Sequence, residues 1–176
     1  AEVCVSFDFR NIAVLKRLKG WPRASLFNFG NCFCDDFDYL LRMSGTESLK
    51  TIQRSPKPNS AFFASEGVET EAEVDEHLPH FDLSADELFI HAVEVFGAQK
   101  NTRTTNRDES VKRASFVCTT PLLRFKDDVD LEVVSTGEGR AGIILFSRSR
   151  VGYSDLGTNR KRLAHWVEQL NHNVKK

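Results

Sequence analysis

The chain has no apolar run near the roughly 18 residues that a bilayer-spanning helix needs, so a helical membrane span is excluded, although a peripheral attachment is not. It has four cysteines in 176 residues, Cys4, Cys32, Cys34 and Cys118, without CxxC spacing or a regular framework, which excludes a disulfide-dense secreted scaffold. We expect reduced thiols, with at most one bridge in an oxidising compartment. A formal net charge of -1 removes any global electrostatic case for nucleic acid. G-x-S-x-G, the phosphate-binding glycine loop, the dinucleotide fingerprint and H-E-x-x-H are all missing, which counts against the common enzyme classes. No βαβ alternation and no internal repeat is visible. The remaining composition, 40% hydrophobic and 28% charged, is that of a folded globular chain.

Three segments differ in character. Residues 1–60 form an aromatic-rich N-terminal extension or arm. Val3, Val5, Phe7 and Phe9 alternate with polar residues as in a short strand, and Ile12, Leu15 and Leu18 have helical spacing before Gly20, Trp21 and Pro22 end it. Phe27, Phe29, Phe33 and Phe37 follow without a clear period. Phe7, Phe9, Trp21, Phe27, Phe29, Phe33 and Phe37 are therefore the candidates for binding a protein partner, because apolar surface of this kind often marks an interface. Ser55 to Ser60 read as a linker. Residues 61–83 read as an acidic loop: from Glu66 to Glu87 there are nine carboxylates and no Lys or Arg.

Residues 84–176 carry the regular patterns. Ser84 and Glu87 make a capping box ahead of Leu88, Ala92, Val95 and Phe96 at helical spacing, with Gly97 where a C-cap is expected. Strands are predicted near 102–106, 112–119, 129–134 and 141–147. Thr136-Gly137-Glu138-Gly139 supplies a hairpin turn between the last two. Leu163, Trp166, Val167 and Leu170 mark a closing helix over 159–172, capped by Thr158 or Asp155. The predicted fold is α+β: an antiparallel sheet of three to five strands packed against an N-side helix and a C-terminal helix.

The segments Leu123-Arg124-Phe125-Lys126-Asp127-Asp128-Val129-Asp130-Leu131 and Ser147-Arg148-Ser149-Arg150-Val151-Gly152-Tyr153-Ser154-Asp155-Leu156-Gly157-Thr158-Asn159-Arg160-Lys161-Arg162 resemble domain-of-unknown-function family 1499, over roughly residues 56–172. The family occurs in bacteria and in plant and algal lineages. It implies this fold and an organellar or envelope setting, and no reaction. Its members typically have an asparagine-cysteine pair near the domain start. Asn59 matches, but Ser60 stands in the place of the cysteine.

These blocks bring together the candidate polar or anion site: Asp127, Asp128, Arg148, Arg150, Tyr153, Asp155, Asn159 and Arg160. Arginine forks fit carboxylates, and a helix N-terminus flanked by arginine favours an anion. Structurally, the same residues would pin the strand-helix corner by Asp-Arg pairs. Acid-base catalysis by Asp127 and Asp128 is disfavoured, because adjacent strand residues face opposite ways. His77 with His80, and Cys32 with Cys34, are weak metal or redox signals, and no catalytic residue, metal or cofactor is expected.

The preferred reading is a non-catalytic accessory or assembly subunit docked on a larger membrane protein complex. A plastid, thylakoid-associated and photosynthetic setting comes first, with mitochondrion or bacterial envelope as alternatives. Peripheral membrane contact is compatible with the basic stretch from Arg140 to Lys176. A small-ligand or lipid-binding module is the second reading, its cavity lined by Phe81, Phe89, Phe96, Phe116, Phe125, Phe146 and Trp166. An enzyme using the Asp/Arg/Tyr cluster is the third.

Overall fold

A computed structural model describes residues 48–121 and 123–175, all within the unit Asp38–Lys176. The seven aromatic partner-binding candidates, the strand and helix patterns of residues 3–18 and the Cys32/Cys34 pair lie outside the described residues.

After a short 3-10 turn, Leu49–Thr51, the elements run β1 (Ser60–Ser65), β2 (Glu76–Leu78), α1 (Ala85–Gly97), β3 (Thr102–Asp108), β4 (Arg113–Thr119), β5 (Lys126–Gly137), β6 (Arg140–Ser149) and α2 (Thr158–Val174). One sheet has the order β2-β1-β6-β5-β4-β3. The α+β class is as the patterning predicts. The sheet, however, has six strands and is mixed, where three to five antiparallel strands were expected. The two additional strands are β1 and β2, which pair in parallel. They lie in the stretch that composition reads as linker and acidic loop. The physical reason is burial: Ala61 to Ser65 are buried on both faces between β2 and β6, so β1 has no period-two alternation to read. At three residues, β2 is too short to show a period.

Alternation along the other strands fixes which side chains meet the helices. On β5, Val129, Leu131 and Val133 join the core under α1 and α2, together with Ala61 and Phe63 of β1, Ala114 and Phe116 of β4, and Ile143 and Leu145 of β6. Leu88, Phe89, Ala92, Val93 and Phe96 come down from α1, and Leu163, Trp166, Val167 and Leu170 from α2. Phe96 stacks on Trp166 at 5.0 Å between centroids, and Phe116 meets both rings edge-on. The opposite sheet face holds a smaller cluster of Phe62, Ala64, Ile144, Phe146 and Leu49.

The capping box forms as predicted: Ser84 Oγ accepts from Glu87 N at 3.3 Å, and the Glu87 carboxylate accepts from Ser84 N at 3.1 Å. Gly97 has a different role from the one expected. It is the last helical residue, and the C-cap, Ala98, is right-handed. A side chain at residue 97 would meet Thr104 Oγ1 at 3.1 Å, so glycine here permits the close approach of α1 to β3.

Candidate functional site

The strand-helix corner is built around Asn159, fully buried in the first turn of α2. Its amide nitrogen donates to Asn59 O at 2.9 Å and Ser149 Oγ at 3.1 Å. Its Oδ1 accepts from Ser147 Oγ at 2.6 Å and from Arg162 Nη1. Arg162 also donates to Ser147 Oγ and, through Nη2, to Asp127. Asp155 receives the start of the helix: its carboxylate accepts from Gly157 N at 3.0 Å and Asn159 N at 2.7 Å. Of the two predicted caps, Asp155 therefore acts, from two residues ahead of the left-handed Gly157. Asn59 donates to Gly152 O at 2.9 Å and so ties β1 to the same loop. Each of these buried polar groups has a partner, the condition under which such a network specifies a unique arrangement.

Asp128 faces the other way. Arg150 grips it through Nε, 3.1 Å from each carboxylate oxygen, and Nη2, 2.7 Å from Oδ1. Arg148 Nε lies 3.9 Å from Asp128 Oδ2, and its guanidinium stands over the Phe146 ring at 5.6 Å. Next along the same face, Asp130 accepts from Ser115 Oγ at 2.7 Å. Burial pushes the Asp130 carboxyl above its ordinary range, against the opposing pull of the Ser115 hydrogen bond and the Arg148 charge. Glu132 follows, accepting from Leu49 N at 2.6 Å and paired with Arg113 at 3.3 Å. A hollow of about 250 Å³ is lined by Arg103, Thr105, Ser115, Phe116, Asp128, Asp130 and Arg148. A second, of about 310 Å³, is lined by residues that include Arg103, Lys126 and Arg150. Both volumes sit at or below the lower end of the roughly 300–1,000 Å³ typical of small-molecule sites. Their size suits a small polar ligand better than a cofactor.

The eight predicted residues thus divide. Asp127, Asp155 and Asn159 belong to the corner under α2, and Asp128, Arg148 and Arg150 to the opposite face. Tyr153 is 73% exposed and joins neither. Arg160 is drawn away to Asp75 O and the Glu76 carboxylate. The acidic stretch likewise holds Arg54 through Asp75, Arg140 through Asp82 and Lys112 through Asp86. Asp130 and Arg162 stand in the same two sequence blocks as the predicted residues; those that sequence reasoning did not place in the site are Asn59, Ser147 and Ser149 in the corner, and Arg103, Ser115 and Glu132 on the far face. The period-two run Asp128, Asp130, Glu132 was a legible signal. The Asn59-Asn159 contact, across 100 residues, was not. Ser60, at the family's cysteine position, lies opposite Arg148 in the β1-β6 register. Its Oγ is buried, with no hydrogen bond among the described residues.

The aromatics proposed to line one cavity do not share a wall. Phe96, Phe116 and Trp166 fill the helix layer in mutual contact, Phe146 is on the opposite face against Phe62, and Phe125 is exposed. Among the described residues, no group of three or more His, Cys, Asp or Glu is placed to hold a metal.

The profile of the family described as protein of unknown function (DUF1499) matches residues 31–170. The chain belongs to this family. The match begins ahead of the conspicuous blocks, so the DUF1499 region takes in part of the aromatic extension as well as the whole sheet. No curated protein matches the chain. Among solved structures, this DUF1499 chain is similar to the di-domain ARO/CYC protein BexL from the BE-7585A biosynthetic pathway, at 15% identity and a TM-score of 0.45, over 66% of this chain and 46% of that one. It thus spans less than half the length of that relative. A protein of Thermobifida fusca solved by solution NMR is similar at 11% identity and a TM-score of 0.39, over 63% of this chain and 84% of that one.

Proposed function

We propose that this DUF1499 protein is a non-catalytic accessory or assembly subunit that docks on a larger membrane protein complex of an organelle, a photosynthetic thylakoid complex being the first to test. One observation carries the non-catalytic part. The two adjacent carboxylates, Asp127 and Asp128, lie on opposite sheet faces and each is engaged by its own arginine, Arg162 and Arg150. General acid-base chemistry needs groups that converge on one reacting atom and are free to exchange protons. This geometry instead fixes the fold. With Tyr153 at the surface and Arg160 turned toward β2, an enzyme built on the Asp/Arg/Tyr set has little to support it. The organellar setting rests on the family's occurrence in plant and algal lineages.

The test is native-gel separation of gently solubilised source membranes, with mass spectrometry locating the chain. Migration with a large complex supports the reading and names the partner. Migration at the mass of the chain alone overturns it. A second reading, a small-ligand module, is favoured by the hollow on the far face, lined by Arg103 and Arg148 together with Asp128 and Asp130. The ligand would be small and polar and would meet this mixed lining, since the helix layer is filled by aromatic rings.

A further inference from the structure

Seven large hydrophobic side chains are exposed among the described residues, and five of them, Leu123, Phe125, Val151, Tyr153 and Leu156, lie in two loops. Their exposures run from 46% for Phe125 to 88% for Leu156. One loop joins β4 to β5 and the other joins β6 to α2. The sheet brings them together: Asp127 pairs with Ser149, and Arg150 N donates to Lys126 O at 3.2 Å, so both loops leave from the same end of neighbouring strands. Isolated exposed apolar side chains are ordinary, but five gathered at one edge are not.

The loops hold these side chains outward. Thr120 closes the first loop with three hydrogen bonds, to Arg124 N, Phe125 N and Phe125 O. Ser154 Oγ accepts from Leu156 N in the second. Arg124 and Leu156 both have left-handed backbone, with φ of 53° and 52°. Non-glycine residues rarely adopt this conformation, and it persists only where the surroundings impose it.

The charge of the same edge is mainly basic. Arg124 and Arg150 stand in the two loops and Lys126 opens β5; Arg150 is paired with Asp128, and Asp155 is the only acid of the loops. Both oxygens of Asp155 are occupied in capping α2. Arg124 and Lys126 are exposed, and Lys161 follows in the first turn of the helix, also exposed. Apolar side chains on short loops, interleaved with long cationic ones, match the boundary between headgroups and acyl chains. There the apolar groups leave water while the cations meet lipid phosphates.

We propose that this edge is a membrane-contacting surface: Leu123, Phe125, Val151, Tyr153 and Leu156 enter the interfacial layer of an anionic bilayer, with Arg124, Lys126 and Lys161 on its phosphates. This deepens the accessory-subunit reading, on which it rests for its setting, by naming the face that meets the lipid.

The test is flotation of the full chain with vesicles of phosphatidylcholine and phosphatidylglycerol in equal parts, and with phosphatidylcholine alone. Wild type should float with the anionic vesicles and release as salt is raised. The triple variant F125S/Y153S/L156S should lose at least about tenfold in partitioning, and R124E/K126E should weaken roughly fivefold per residue or more. Unchanged thermal melting of both variants confirms that the fold is intact, as substitution of exposed side chains should leave it. Wild type that stays at the bottom of the gradient, or a triple variant that floats equally well, overturns the proposal. An acidic protein as the occupant would show as native-gel co-migration without flotation, which refutes the lipid surface and leaves the docking reading standing. Flotation by a chain that migrates alone does the reverse.

Discussion

Removing the Asp127 carboxylate should be the most damaging single change at the strand-helix corner. Asp127 is 3% exposed and the Arg162 side chain 12%, so Asp127→Ala would leave a guanidinium with little access to water. Breaking a buried ion pair by deleting one partner costs about 3–5 kcal/mol, because the remaining charge stays desolvated. Arg162 retains hydrogen bonds to Ser147 and Asn159, which places the loss near the lower end, about 3 kcal/mol. If the loss comes from the orphaned charge, replacing Arg162 with methionine in the same chain should restore part of it. The cycle D127A, R162M and the double variant should then give a coupling of roughly 1–3 kcal/mol. Urea denaturation followed by circular dichroism measures each corner of the cycle, with an unchanged slope showing that the unfolded states are comparable. A loss below about 1 kcal/mol for D127A, or additive single losses, would refute the idea that this pair holds α2 to the sheet.

Other consequences are open to the same assay. Burial raises the Asp130 carboxyl above its ordinary value near 3.8, so the folded chain binds that proton more tightly than the unfolded one. Stability then falls as pH rises from 3.8 through the folded value, with the cost complete above it. Asp130→Asn, which can still accept from Ser115, should melt higher than wild type at neutral pH and lose that advantage in acid; a lower melting temperature at neutral pH would contradict this. Gly142→Ala would bring a side chain to 2.7 Å from Ser65 Cβ and 3.2 Å from Thr136 Cγ2. Forcing that contact between β1 and β6 should cost about 1–3 kcal/mol, and an unchanged melt would show that the strands yield freely. Ser84→Ala removes one arm of the α1 capping box and should cost about 1 kcal/mol. The Ser84 hydrogen bonds hold the Glu87 carboxyl below its ordinary value of 4.5. Its share of stability is therefore present above that value and fades as pH falls through the folded one; a pH dependence equal in wild type and S84A would exclude this coupling.

Local pattern was enough for the helices and for four of the strands. Ser84 with Glu87, the stripe Leu163, Trp166, Val167 and Leu170, and the Gly137-Glu138-Gly139 turn each act through neighbours within a few residues, so the sequence displays them directly. The opposite orientation of Asp127 and Asp128 was also legible, since it follows from strand geometry alone. Tertiary structure decided the rest. β1 is a strand because β2 and β6 supply its hydrogen bonds and bury both its faces, and no periodicity survives in Ala61-Phe62-Phe63-Ala64. Arg162, rather than Arg148 or Arg150, binds Asp127 because α2 packs on the helix side of the sheet over β1 and β6, which brings its first turns within reach of the start of β5, a placement set by packing over the whole core. The apolar edge has the same origin. Residues near 123–125 and 151–156 are well apart in sequence, and only the antiparallel pairing of β5 with β6 makes them one surface. Interactions confined to a turn of helix or a hairpin are written in sequence order; those that join distant segments come from the sheet register and the packing of helices on it.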